Sequence, residues 1–330
     1  MSLDQTMESI LKLGHQFMAS RVLITGAELD LFSLLSEKPM TLDAIASEKK
    51  ADRRGMAILL DALTSLGLLI KEGETYRVEA SVAPHLKKGA TPSVLPMVLH
   101  LSTLWQTWSR LTDVVLGKPA TGLREQGALS EGHISAFIGA MHTVASKTAP
   151  EVVAAVDPGS ARRLIDVGGG SGSYTIAFLN AVPDMSATLF DLPDVVKMAG
   201  ERLGAAGLMD RVTLVPGDFY EDELPSGHDL ALLSAIIHQN SPMQNRVLFE
   251  KIYRALDPGG RIIVRDHVMS PDRTEPLDGA LFAVNMLVGT SEGGTYTFNE
   301  IETALAGAGF KRIRLIRRKG MHSLVEGFKE

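Results

Sequence analysis

The chain has 330 residues, 45% of them hydrophobic, a net charge of −6 and no cysteine. At roughly 150 residues per domain the length suggests two domains with substantial cores. The missing cysteines exclude disulfides, thiolate nucleophiles and Cys-ligated zinc and fit a cytoplasmic setting, while the acidic balance disfavours partners that are nucleic acid or anionic membrane.

The N-terminus carries Asp4 and Glu8 and lacks a basic stretch followed by a long apolar run, so no signal peptide is expected. No stretch approaches the ~20 apolar residues of a membrane span. Residues 1–100 read as helices followed by one small β-hairpin. Thr41 is a plausible N-cap for TLDAIASEK, with Asp43 in its first turn. Met56, Leu59, Leu60, Leu63 and Leu66 then form one apolar helix face, and Gly67 is its stop. LLI, KEGE and TYRV read as strand, turn and strand with Gly73 in the turn. Helices followed by a hairpin describe a winged helix, and a DNA-binding regulator is one reading of it. Against that reading, residues 1–100 hold 11 basic and 12 acidic side chains, and the second helix of the pair turns apolar after Arg53 and Arg54. A groove-reading module should be more basic.

Residues 101–156 read as a helical linker rich in large apolar groups, including Trp105, Trp108, Leu111, Phe137 and Met141, with a Gly-rich loop between Gly117 and His133. Core packing is the first account of these groups; a wall of an acceptor pocket is the second. Over residues 157–330 strands and helices alternate. RLIDV, SATLF, RVTLV, DLALLSAII and RIIVRD are the strands. Ser241 caps a helix with Pro242 at its first position and Val247, Leu248, Ile252 and Leu256 on one face; Asp257-Pro258-Gly259-Gly260 is a turn. This alternation argues for an α/β fold with a parallel sheet covered on both faces. The closing KRIRLIRRKGMHSLVEGF reads as a hairpin that adds an antiparallel strand.

The segment from Asp166 to Gly172, DVGGGSG, falls at the carboxyl end of the first of these strands, where open α/β sheets bind ligands. A P-loop is excluded, because no Gly-Lys-Ser/Thr follows, and a GxGxxG fingerprint fails, because Ser173 stands where its last glycine belongs. The pattern is Asp166-x-Gly168-x-Gly170-x-Gly172. Asp191 ends the next strand and can accept from a ribose diol. Asp218 and Phe219 follow the third; the acid can accept from a purine amino group and the ring can pack on the purine face. Acidic strand ends without a basic group do not suit a pyrophosphate, but they suit a cationic nucleoside such as a sulfonium cofactor.

DVGGGSGSY, LFDLPDVV, GDFY, LLSAIIHQN, DPGGRIIVRD and ALAGAGF, in this order and spacing, resemble the S-adenosylmethionine-dependent small-molecule O-methyltransferases, which include plant caffeic acid and flavonoid enzymes and bacterial natural-product enzymes. The resemblance runs from about residue 20 to the C-terminus. It implies an N-terminal all-α winged-helix dimerisation domain, a C-terminal Rossmann-like methyltransferase domain, a homodimer, and a small apolar or aromatic acceptor. It also implies S-adenosyl-L-methionine as cofactor, S-adenosyl-L-homocysteine as product, and no metal. The glycine loop (Asp166, Gly168, Gly170, Gly172), Asp191 with Leu192, Asp218 and Phe219 match the family's cofactor positions. Ser234 stands where plant members have a lysine.

His238 matches the family's catalytic base and Asp266 an acid flanking it. The family's Asp-Trp after the base is replaced by Gln239-Asn240, and Thr295 stands where a second flanking acid belongs. Met141 and Met286 would be acceptor-pocket walls, with Asn285 and Tyr296 as polar contacts. The residues agree with these roles. A hydroxyl acceptor must lose a proton, histidine is the natural base near neutral pH, and the two residues end adjacent strands. His267 should alternate to the opposite side of its strand. S-, N- or C-methylation, or a non-methylating reaction in the same fold, stays open.

Overall fold

The computed structural model describes residues 3–90, 93–120 and 131–330, with side chains except those of residues 3–5, 131–137, 140, 143 and 144. The chain divides into two units, residues 1–105 and 106–330. The first contains α1 (Leu3–Glu28), α2 (Leu31–Glu37), β1 (Met40–Thr41), α3 (Leu42–Glu48), α4 (Arg53–Ser65), β2 (Leu69–Glu72), β3 (Thr75–Val78) and α5 (Ala83–Leu86), and it ends within α6 (Leu95–Trp108). Thr41 caps α3, its hydroxyl accepting from the Ala44 N–H at 3.3 Å. α4 buries Met56, Leu60 and Leu63 against Phe32, Ile45 and Tyr76. The predicted face runs one residue too far, because Leu66 lies past the helix end and is exposed, and Gly67 at φ 74° stops the helix. The hairpin β2–β3 turns at Gly73, and β1 adds an unpredicted third strand in the order β1-β3-β2. Arg53 is paired with Asp43 at 2.6 Å. Along α1, Met7, Ile10, Leu11, Leu13, Phe17 and Met18 are exposed.

The second unit continues with α7 (Leu111–Val115), α8 (Glu131–Val156), β4 (Arg163–Val167), α9 (Ser173–Ala181), β5 (Ser186–Asp191), α10 (Pro193–Ala205), β6 (Val212–Pro216), β7 (His228–Ser234) and α11 (Pro242–Ala255). Then come β8 (Leu256–Asp266), β9 (Val268–Met269), α12 (Leu277–Gly289), β10 (Tyr296–Thr297), α13 (Phe298–Gly307), β11 (Lys311–Arg317) and β12 (Ser323–Phe328). Of the predicted loop between Gly117 and His133, residues 121–130 lie outside the described residues, and residues 131–133 already belong to α8. The side chain of Phe137 also lies outside the description.

The seven-stranded sheet has the order β11-β12-β8-β7-β4-β5-β6. β6 to β8 are parallel neighbours, and the closing hairpin pairs antiparallel to β8. One face packs on α11 and α13 through Leu248, Phe249, Ile252 and Leu305; the other packs on α8, α9 and α10 through Val152, Phe178 and Leu203. Ser241 and Gln244 form a capping box at the start of α11. Val247, expected on the buried face of α11, is 45% exposed, and Leu256 opens β8 instead of closing the helix. The predicted Asp257–Gly260 turn is absorbed into β8 as a register shift against β7, with Gly259 at φ 82°.

The sheet reverses direction of growth at β4, which lies between β5 and β7. The crevice outside those strand ends is the ligand position of such sheets. Asp166, the penultimate residue of β4, is 1% exposed and accepts from the Thr175 hydroxyl at 2.7 Å, tying the strand to the first turn of α9. Burial pushes its carboxyl up to about 6, and the neighbouring charge of Asp191 adds to the rise. The folded chain therefore holds this proton more tightly than the unfolded chain, whose carboxyl titrates near ~3.9. Stability from this group is highest at acid pH and falls as pH rises from about 4 to about 6. Asp166→Asn removes that dependence. In urea denaturation of ligand-free protein, the variant should gain on wild type across this window, by roughly 3 kcal/mol above pH ~6. A stability difference that stays constant from pH ~4 to ~7 would contradict it.

Candidate active site

The register that pairs Ser234 with Arg265 brings the carboxyl ends of β7 and β8 side by side. Ala235, at φ 59°, ends β7 while its N–H still donates to the Arg265 carbonyl at 2.8 Å. A 3₁₀ turn, Ile237–Gln239, then carries His238 back over the end of β8. His238 and Asp266 are both buried, and Nδ1 of the imidazole lies 2.9 and 3.0 Å from the two carboxylate oxygens. The His267 N–H donates to the same carboxylate at 2.8 Å. An imidazole that donates through Nδ1 keeps Nε2 as its acceptor, which is the atom a general base uses. Phe282 of α12 meets the His238 ring edge-on at 4.8 Å.

His267 is not on the far side. β8 stops at Asp266, so strand alternation does not extend to the next residue, and the His267 ring lies 5.0 Å from the same Phe282. Burial pushes its imidazole down, and its Nδ1 has no hydrogen-bond partner among the described residues.

Thr295, where the family's second acid would stand, is buried, and its carbonyl accepts from the Arg273 guanidinium at 2.8 Å. The block around it braces the turn that carries the imidazole. Gly294 donates its N–H to the His238 carbonyl at 2.8 Å, and the Tyr296 hydroxyl donates to the Asn240 carbonyl. Burial, with Glu300 nearby, pushes that phenol up to about 12, so it stays a donor. Tyr296 is thus a brace for the turn, not the free polar contact expected for it. Asn285, one helical turn beyond Phe282, accepts through Oδ1 from the Trp108 indole at 2.8 Å. Met286 on α12 is buried and Met141 on α8 is half-buried.

On the nucleoside side, Gly168, Gly170 and Gly172 have φ of 68°, 55° and 74°. A Cβ on Gly168 would lie 2.6 Å from Ile236, and the Phe219 ring would be 3.5 Å away. At Gly170 the nearest atom to such a Cβ is the loop's own Gly168 carbonyl at 4.0 Å, so the backbone there is open to close approach. The Asp191 carboxylate accepts the Gly170 N–H at 2.8 Å on one oxygen and the Leu192 N–H at 2.7 Å on the other. Each oxygen keeps a lone pair for a further donor. Burial pushes Asp191 up, and the Asp218 charge adds to it. Asp218 accepts the Tyr220 N–H at 2.9 Å. These neighbouring acids, beside an open glycine loop, fit a ligand with hydroxyl donors and positive charge, as S-adenosylmethionine has.

Ser234 accepts from the Arg265 guanidinium at 3.0 Å. That buried cation also bonds His322 and lies over the Tyr174 ring. Burial and Arg265 push His322 down to about 4, leaving its Nδ1 an acceptor. A basic group therefore stands behind the rim, three strands from Asp191. The sequence contained no signal for this cluster, because its members are separated by dozens of residues.

Among the described residues no group of three or more His, Asp or Glu side chains is arranged to hold a metal ion. No helix among them is long and apolar enough to cross a membrane.

A family model described as an O-methyltransferase domain matches residues 110–311, and one described as an O-methyltransferase dimerisation domain matches residues 11–83. The second assigns the winged-helix segment to dimerisation. Similar proteins include the 3-hydroxy-5-methyl-1-naphthoate 3-O-methyltransferase of Streptomyces sahachiroi, 33% identical over 322 residues that cover 94% of this chain and 92% of that one. The tetracenomycin polyketide synthesis 8-O-methyl transferase of Streptomyces glaucescens is 33% identical, covering 97% and 96%. Among solved structures, human N-acetylserotonin methyltransferase in complex with SAM is 29% identical with a TM-score of 0.84 and 99% coverage of both chains. Both units carry the match, and the chain belongs to the family of S-adenosylmethionine-dependent O-methyltransferases.

Proposed function

We propose that this protein methylates a hydroxyl of a small aromatic acceptor, with His238 as general base and Asp266 as its orienting acid. The observation that carries the reading is the buried imidazole whose Nδ1 bridges both oxygens of a buried carboxylate. The names of the similar proteins supply the acceptor class: a hydroxynaphthoate, a tetracenomycin polyketide and acetylserotonin. When bound, S-adenosylmethionine supplies a methyl group on a sulfonium with an excellent leaving group. The residues that would hold it are Gly168, Gly170 and Gly172 along the backbone, Asp191 with the adjoining Leu192 at the ribose hydroxyls, and Asp218 and Phe219 at the purine. Asp166 acts beneath them by fixing the loop to α9, and Ser234 by docking Arg265.

His238 removes the acceptor's proton at Nε2 as the oxygen becomes the nucleophile. Asp266 holds the ring and offsets the charge of the resulting imidazolium. Phe282 and Met286 on α12, with Met141 on α8, would enclose the acceptor. Asn285 would offer it amide N–H groups, its oxygen being held by Trp108. The linker residues 101–156 would thus join the methyltransferase domain in forming the pocket. The working form would be a cytoplasmic homodimer joined through the exposed apolar side of α1 and its neighbours.

Four measurements test this reading. Labelled S-adenosylmethionine with a panel of phenols, including a hydroxynaphthoate and N-acetylserotonin, beside thiols and amines, should label phenols; label confined to thiols or amines would overturn it. Asp191→Ala should weaken S-adenosylhomocysteine binding in calorimetry by roughly ten- to hundred-fold from a micromolar-scale Kd, because the ribose loses a charged acceptor. Unchanged affinity would remove Asp191 from the site. His238→Ala should lower kcat by about 10²–10⁴ without altering that affinity, and Asp266→Asn should cost less because the base remains. Near-full activity of His238→Ala would rule out general-base catalysis and leave an acceptor that needs only positioning. Light scattering should give about twice the 35.5 kDa chain mass; a monomer at micromolar concentration would contradict the dimer.

A further inference from the structure

Asn240 stands where the resembling enzymes carry tryptophan, and it is fully buried. A buried amide requires partners at both ends, and here they come from Asn245 of α11 and from Tyr220 in the segment after β6. Its Nδ2 donates to Asn245 Oδ1 at 3.0 Å, and Asn245 Nδ2 in turn donates to the Ile237 carbonyl at 2.9 Å, inside the turn that carries His238. Its Oδ1 accepts from the Tyr220 hydroxyl. Its carbonyl accepts from the Tyr296 hydroxyl. The segment after β6 and α11 thus meet on one side chain, α11 passes the tie on to the His238 turn, and β10 holds the Asn240 backbone.

Tyr220 gives this knot its direction. It follows Asp218 and Phe219, the two residues aimed at the purine. Its N–H is held by the Asp218 carboxylate at 2.9 Å, and its ring lies 4.7 Å from that of Phe219. A ligand that settles the Asp218–Phe219 segment also settles the Tyr220 hydroxyl, and through Asn240 it settles the carbonyls on either side of His238. Gly293 closes the other side of the turn, because a Cβ there would sit 2.6 Å from the His238 carbonyl.

We propose that Asn240 is a positioning residue that couples the purine end of the cofactor site to the His238 turn, so that an occupied nucleoside site holds the base in register with Asp266. The inference rests on the assignment of Phe219 to the purine and His238 to the base. Its physical basis is a short, fully satisfied polar network in place of an aromatic wedge. Such networks transmit position because no member can shift without leaving a buried group unpaired.

Tyr220→Phe deletes one hydroxyl from a ring that is itself 38% exposed, and so leaves the fold intact. Hydrogen–deuterium exchange is read on the segment from Ile236 to Ser241 with and without saturating S-adenosylhomocysteine. In wild type the ligand should slow exchange there. In Tyr220→Phe at equal saturation that protection should fall by roughly ten-fold, while the Kd measured by calorimetry changes by less than about three-fold. Exchange in the β4 core should be identical in both, which a general loosening of the fold would not allow. Asn240→Ala should reproduce the effect, and adding Tyr220→Phe to it should cause no further loss, since hydroxyl and amide form one bond. Should Asn240→Ala fail to fold, Tyr220→Phe alone decides. Equal ligand-linked protection in Tyr220→Phe and wild type overturns the coupling. An active His238→Ala would instead overturn the base assignment and leave the exchange result standing, so the two failures are distinguishable.

Discussion

A carboxyl group that is 1% exposed at the end of β8 must be met by donors, and the arrangement of the candidate site follows from that requirement. Two donors meet Asp266: the Nδ1–H of His238 and the backbone N–H of His267. The first is available because β7 and β8 are parallel neighbours in a register that ends both strands together, and because Ala235 turns the chain sharply enough to bring the next helical turn over the strand ends. The second is available because β8 ends one residue before His267. Satisfying the acid fixes the imidazole, and fixing Nδ1 as donor leaves Nε2 as the ring's acceptor. Relatives of the resembling type add a second acid. Here Thr295 takes that place, and bracing passes to its neighbours, through the Gly294 N–H on the His238 carbonyl and the Tyr296 hydroxyl on that of Asn240.

The nucleoside side obeys the opposite electrostatic logic. Asp166 and Asp191 are raised by burial and by neighbouring negative charge. Such a cluster is costly in the empty protein and is relieved by a ligand that brings hydroxyl donors and positive charge. The buried cation of β8, Arg265, is held on the α8 and α9 face by Ser234, His322 and the Tyr174 ring.

Much of this was legible in the sequence, because it depends on local pattern. Strand–helix alternation, the glycine loop, the N-cap at Ser241 and the adjacency of His238 and Asp266 all follow from period, turn chemistry and strand order. What escaped depends on where strands stop and on contacts between distant segments. Alternation misplaces His267 because it holds only inside a strand, and β8 ends at Asp266. Val247 was assigned to the wrong face because Asn245, a polar residue, takes the buried position and bonds the Ile237 carbonyl. The tie from Tyr220 to Asn240, 20 residues apart, has no periodic signature at all. Gln239-Asn240 looked like a departure from family pattern, and only packing gives Asn240 a role.

The central claim is that Asp266 holds the proton on Nδ1 of His238 and leaves Nε2 bare. Nitrogen NMR of protein labelled at histidine reads this directly, with the His238 signals identified by their loss in His238→Ala. With the ring neutral, the expected result is a single tautomer protonated at Nδ1, converting to a mixture in Asp266→Asn. A ring protonated at Nε2, or a mixture already present in wild type, would contradict it.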